Sequence, residues 1–97
     1  MENRRLIISK RAANKLLNAS EWYILNCGYS FASTLQKNVA DDIEHLRKSP
    51  TIGKVTKDGK RRAYVSHKKC IIIYVYTANT LHVKDLVFTD THKVRLF

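Results

Sequence analysis

The chain contains two cysteines, one proline, three glycines and one methionine in 97 residues. So little cysteine excludes a disulfide scaffold, and so little glycine and proline exclude a collagenous or low-complexity chain. Long hydrophobic runs are missing too. The longest, Cys70 to Tyr76, has seven residues, against roughly 20 for a membrane span. Met1-Glu2-Asn3-Arg4-Arg5 leads into only three apolar residues, so no signal-peptide core is expected. Neither Cys27 nor Cys70 belongs to a CxxC pair or has a histidine at ligand spacing. Both sit among apolar neighbours, where a free cysteine behaves as a small hydrophobe. A core role for each, a reducing cytoplasm and no membrane contact are the expectations.

Acid is scarce as well. Eight Asp and Glu face eighteen Lys and Arg, a formal charge of +10 at pH 7 with histidine neutral. The excess is uneven: residues 1–50 carry eight basic and five acidic side chains, residues 51–97 ten and three. Lys54, Lys57, Lys60, Arg61, Arg62, Lys68 and Lys69 stand against Asp58 alone. A concentrated positive field attracts polyanions and speeds encounter with them. Nucleic acid and an acidic protein both qualify, with Lys60, Arg61, Arg62, Lys68 and Lys69 as the contact residues. Hydrophobic residues are 44% of the chain, enough for one modest core. Residues 1–97 therefore read as a single domain.

Hydrophobic periodicity orders the elements. Arg4 to Ile8 reads as a strand. Ser9 is placed to cap a helix, since its hydroxyl can accept from the first free N–H groups. Ala13, Leu16, Leu17, Ser20, Ile24 and Cys27 recur at helical spacing and predict that helix's buried face. Gly28 ends it. After a linker of Gly28-Tyr29-Ser30 a second stripe follows: Ala32, Leu35, Val39, Ile43 and Leu46. Pro50 prevents continuation. Thr51 to Lys60 reads as a loop. Arg61 to His67 alternates as a half-buried strand, Cys70 to Tyr76 as a central one, and Leu81 to Phe88 as the last. In that last strand Leu81, Val83 and Val87 are expected on one side and His82, Lys84 and Phe88 on the other. The order is β-α-α-β-β-β, an α+β fold with a helix hairpin on one face of a small curved sheet, mainly antiparallel. The opposite face is expected to be partly open and to hold any ligand.

Few residues suit catalysis. Asp41, Asp42 and Glu44 read as a solvated outer face of the second helix. His45, His67, His82 and His92 have no metal-ligand spacing, and no metal or cofactor is expected. One reaction needs only what is present. RNA is cut without metal when its own 2′-hydroxyl attacks the adjacent phosphate, given a base, an acid and cations around the phosphorane. Arg62, Tyr64 and Ser66 share one side of a strand with Lys60 at its start. His92 lies just past the last strand.

Five segments in order then suggest a relationship: Ile8-Ser9-Lys10-Arg11-Ala12, the Leu46…Ser49-Pro50…Gly53 junction, Arg61-Arg62-Ala63-Tyr64-Val65, Ile72-Ile73-Tyr74-Val75-Tyr76, and Phe88-Thr89-Asp90-Thr91-His92. Over nearly its whole length the chain resembles toxins of the RelE/ParE superfamily, from bacterial type II toxin–antitoxin systems. The resemblance implies the same β-α-α-β-β-β fold, a cognate acidic antitoxin, and growth arrest by one of two routes. RelE-like members cut mRNA on the ribosome. ParE-like members poison DNA gyrase. RelE-like enzymes usually carry an arginine at the start of the central strand, whereas Cys70-Ile71-Ile72-Ile73 precede Tyr74 here. Tyr64 also stands where a second lysine is common. Losing one group that stabilises transition-state charge typically lowers the rate about 10²–10³-fold, which favours the ParE-like route. Under the nuclease route Arg62, Tyr64 and His92 would be catalytic, with His67 a further histidine in support. A basic RNA-binding module without toxicity is the third reading.

Overall fold

The structure is a computed structural model that describes residues 4–67 and 69–88. Strand β1 (Arg5–Ile8) enters helix α1 (Lys10–Cys27), followed by α2 (Tyr29–Lys48) and a 3-10 turn, Pro50–Ile52. Then come β2 (Lys54–Val55), β3 (Arg62–Ser66), β4 (Cys70–Tyr76) and β5 (Thr80–Phe88). The five strands form one sheet in the order β1-β5-β4-β3-β2. β1 runs parallel to β5, and the other pairs are antiparallel. The fold is α+β with the element order expected, plus one strand. Lys54 and Val55 pair with Ala63 and Arg62, where a loop was expected. Two residues are too few to display an alternation, so their strand character comes from the partner.

Ser9 caps α1 as expected: its hydroxyl accepts from the Ala12 N–H at 3.1 Å and donates to the Lys84 carbonyl at 2.7 Å. One hydroxyl thus starts the helix and ties it to β5. The α1–α2 link is tighter than the three-residue linker expected. Gly28 alone is both the C-cap of α1 and the N-cap of α2, at φ 92°. A side chain at that φ is strained, and glycine is not.

The buried face of α2 is the expected one, Ala32, Leu35, Val39, Ile43 and Leu46. That of α1 is rotated. Ala12, Ala19, Ser20 and Tyr23 are buried, while Leu17 is 59% and Ile24 42% exposed. Cys27 is exposed, not a core residue. The reason is steric: the alanines let α1 lie close to the sheet, and Tyr23, fully buried, fills the space beyond them. Apolar side chains occupy more than one side of α1, so spacing alone picked the wrong one. In β5 a register shift places Tyr74 opposite Val83 and Ile73 opposite Asp85. Lys84 is the extra residue, so Leu81, Val83, Leu86 and Phe88 are the buried set, in place of the expected division of that strand. Such bulges reverse the inward–outward phase of a strand.

Asp42 departs from the solvated reading. Its carboxylate accepts a short bond from the Ser66 hydroxyl, and His67 Nδ1 lies 3.4 Å from it. These contacts fasten α2 to the turn after β3, where His67 takes a φ of 52°. Beyond α2, the buried Tyr74 hydroxyl donates to the Pro50 carbonyl at 2.5 Å and accepts from the Gly53 N–H at 3.1 Å. A Cβ on Gly53 would fall 2.3 Å from that oxygen.

Two outcomes follow from this packing. Tyr74→Phe strips two buried backbone groups of their partner and should lower unfolding free energy by about 1–3 kcal/mol, read as a reduced urea midpoint. An unchanged midpoint would mean that the junction is not a stability element. For the thiols, burial pushes Cys70 up to about 12, while Cys27 is exposed. Native protein should therefore react with one equivalent of a thiol reagent, and denatured protein with two.

Candidate functional site

Cross-strand pairing decides which face each residue of β3 occupies. Arg62, Tyr64 and Ser66 lie opposite Tyr74, Ile72 and Cys70, and those three β4 residues are fully buried under the helices. Arg62, Tyr64 and Ser66 therefore face the helix side, not the open face where a ligand was expected. Strand alternation separates two faces but does not say which one the helices cover. Tyr64 packs against the core, and Ser66 is buried against Asp42.

Arg62 is held at the edge of that layer. Its Nη1 donates to the Gly53 carbonyl at 2.7 Å and to the Thr51 carbonyl at 3.2 Å. Its guanidinium carbon lies 5.7 Å from the Tyr76 ring centre, and that of Arg4 lies 5.4 Å from it. Arg4 in turn donates to the Thr77 and Arg47 carbonyls at 2.8 and 3.0 Å. Arg47 returns a bond to the Arg4 carbonyl at 2.7 Å and pairs with Glu44. These arginines join the chain's start, the end of α2, the 3-10 turn and the β4–β5 turn. Guanidinium forks suit that task, since several fixed donors can satisfy backbone carbonyls at once.

The open face has another character. Ala63 and Val65 of β3 and Ile71, Ile73 and Val75 of β4 form its centre, with Ile7, His82 and Val87 beside them. Val65 is 57% exposed. His82 is held below its ordinary value by burial and then by the Lys84 charge, so its ring is neutral at pH 7. Among the described residues the centre of this face is aliphatic, and cations stand at its margins: Lys54 opposite Ala63, Arg5 on the same side as Ile7, and Lys84 near His82. An aliphatic sheet face that is half-buried at Ile71, Ile73 and Val75 and exposed at Val65 and Ile7 suits a protein partner.

The basic candidates collect elsewhere. Lys60 and Arg61 are exposed on the β2–β3 hairpin together with Lys54 and Lys57. Lys60 and Arg61, but not Lys54 or Lys57, line a groove of about 310 Å³ with Val55, Arg62, Tyr74 and Tyr76. Lys69 lies on the helix side, its ammonium 5.7 Å from the Phe31 ring centre. Lys68 and His92 lie outside the described residues. The structure thus brings Lys60, Arg61 and Arg62 together and separates Lys69 from them. No cluster of three or more His, Cys, Asp or Glu able to hold a metal occurs among the described residues. No helix among them is long and apolar enough to cross a membrane.

Sequence reasoning named the open face as a ligand surface but did not assign its aliphatic character. Its signal was present in Val65, on one side of a strand read as half-buried, and in Ile71, Ile73 and Val75, read as part of a central strand apolar on both faces. It also missed the structural use of Arg62, for which a local pattern carries no signal, because the carbonyls it binds lie nine and eleven residues away.

Arg62→Lys keeps the charge but replaces the planar guanidinium, whose Nη1 makes both carbonyl bonds and whose plane lies near the Tyr76 ring. It should lower stability by about 1–2 kcal/mol, measured by urea unfolding. If Arg62→Lys is as stable as the parent, the guanidinium is not a fastening.

No family model matches the sequence, and no curated protein matches it. A solved structure does, the chromosomal ParDE TA system from P. aeruginosa. The TM-score is 0.79 at 11% identity, over 88% of this chain and 95% of that one. At that identity the likeness speaks for the fold. The β-α-α-β-β-β arrangement implied by the RelE/ParE resemblance is the fold this chain adopts, enlarged by one short edge strand.

Proposed function

We propose that the chain, as one domain over residues 1–97, is the toxin of a type II toxin–antitoxin module. Its fold is shared with a chain of a ParDE toxin–antitoxin structure, and its +10 charge suits an acidic antitoxin. Opposite charges of that size make association fast and salt-sensitive. Within the superfamily we read the chain as ParE-like, a gyrase poison acting by protein contact.

The observation that carries this reading is the aliphatic centre of the open face. Phosphoryl transfer without metal needs cations placed around the developing charge. Here Ile71, Ile73 and Val75 occupy that face, and Arg62 turns to the other side and binds backbone carbonyls. The ParE-like route requires instead a surface that a large protein can cover, and exposed valine and isoleucine on a rigid sheet supply one.

Induction of the chain in a bacterial host should arrest growth and produce DNA breaks. The purified chain should inhibit supercoiling by gyrase, and His92→Gln should leave that inhibition unchanged. Codon-positioned mRNA cuts with supercoiling unaffected would establish the RelE-like alternative, with Arg62, Tyr64 and His92 as its residues. Absence of any growth effect would return the chain to a basic binding module.

A further inference from the structure

The β2–β3 hairpin concentrates charge on a rigid frame. Lys54, Lys57, Lys60 and Arg61 are all exposed, and Asp58 is the one acid among them. The loop is internally bonded. The Thr56 N–H donates to the Arg61 carbonyl at 2.9 Å, and the Gly59 N–H to the Thr56 carbonyl at 2.9 Å. The Asp58 carboxylate accepts from the Thr56 hydroxyl at 2.5 Å and from the Lys60 N–H at 3.0 Å. Gly59, at φ 73°, closes the turn. The single acid is thus engaged within the loop, while four cations stand in solvent on a preformed turn at the sheet edge. Preorganisation of this kind removes the ordering cost that a slack basic loop would carry on binding.

The chemistry of the hairpin selects among polyanions. Single-stranded nucleic acid is held by bases stacked on free aromatic faces as well as by charge. The aromatic rings nearest the hairpin are already engaged: Tyr74 is buried with its hydroxyl bonded to Pro50 and Gly53, and Tyr76 has Arg4 and Arg62 against its ring. What the hairpin offers is charge on an internally bonded turn at the edge of the sheet. Duplex DNA, with one charge per about 1.7 Å of its axis, offers such a turn a dense phosphate array.

We infer that the β2–β3 hairpin is a contact site for the phosphate backbone of double-stranded DNA, through Lys54, Lys57, Lys60 and Arg61. The source of that DNA rests on the proposed gyrase target, whose substrate is duplex DNA, whereas the contact itself needs only the hairpin. Binding is set by charge and is indifferent to base sequence, because phosphate contacts carry no sequence information.

The full chain titrated into a fluorescein-labelled DNA duplex, followed by anisotropy at several salt concentrations, tests this. Four phosphate contacts give a slope of about −3.6 in log K against log salt. Lys57→Ala with Lys60→Ala should reduce its magnitude by about 1.8. Lys10→Ala with Lys37→Ala, both exposed on the helices, should leave it unchanged. The inference falls if the hairpin pair leaves the slope unchanged, or if both pairs lower it equally. It also falls if single-stranded RNA of equal length binds more tightly than the duplex, or if a polyglutamate peptide displaces the duplex at equal charge. The toxin reading fails separately, as absent growth arrest with duplex binding intact.

Discussion

The Tyr74 hydroxyl is the constraint on which the rest of this structure depends. It sits under the point where α2 has ended at Lys48 and the chain must turn to enter the sheet. A chain leaving a helix carries carbonyls and amides that water cannot reach once they are buried, and each needs a partner. Tyr74 satisfies two at once, the Pro50 carbonyl and the Gly53 amide. That approach is possible only because residue 53 has no side chain. Burial raises the Tyr74 pKa, so the group keeps its proton and remains the donor. Arg62 completes the junction by binding the Thr51 and Gly53 carbonyls from the neighbouring strand. Lys54 and Val55 follow immediately, so the same bonds that end the turn position β2 and the base of the hairpin.

This arrangement divides the molecule into surfaces of different chemistry. The arginines that a catalytic reading would place over a substrate are used to bind backbone. The open sheet face is left to valine and isoleucine, which suit a protein and not a phosphate. The cations of the hairpin stand at the β2 edge of the sheet, with Lys54 opposite Ala63 on the open face. The proposed gyrase-poison function has use for both surfaces, one for protein and one for the backbone of the nucleic acid.

Much of this was legible in the sequence, and the parts that were not share a cause. The buried face of α2 was readable because its apolar residues occupy one side only. That of α1 was not, because Leu17, Ile24 and Cys27 compete with Ala12, Ala19 and Tyr23, and only the distance to the sheet decides between them. The Ser9 cap was readable because a cap is local. The bulge at Lys84 was not, since it is a property of two strands. The same applies to Arg62. Its spacing with Tyr64 and Ser66 placed the three on one side correctly, but which side the helices cover is decided by tertiary packing. Asp42 looked solvated on its helix until Ser66, 24 residues away, proved to be its partner.

The central claim is that Tyr74 and Arg62 act as one fastening on the Pro50–Gly53 junction. A double-mutant cycle measures it most directly, with urea unfolding of the parent, Tyr74→Phe, Arg62→Ala and the double variant. Groups that share one network show an interaction free energy of about 0.5–3 kcal/mol. The account predicts a double variant destabilised by less than the sum of the single losses, by at least that lower bound. Strictly additive losses would contradict it, because Arg62 would then be free of the junction and available for another role.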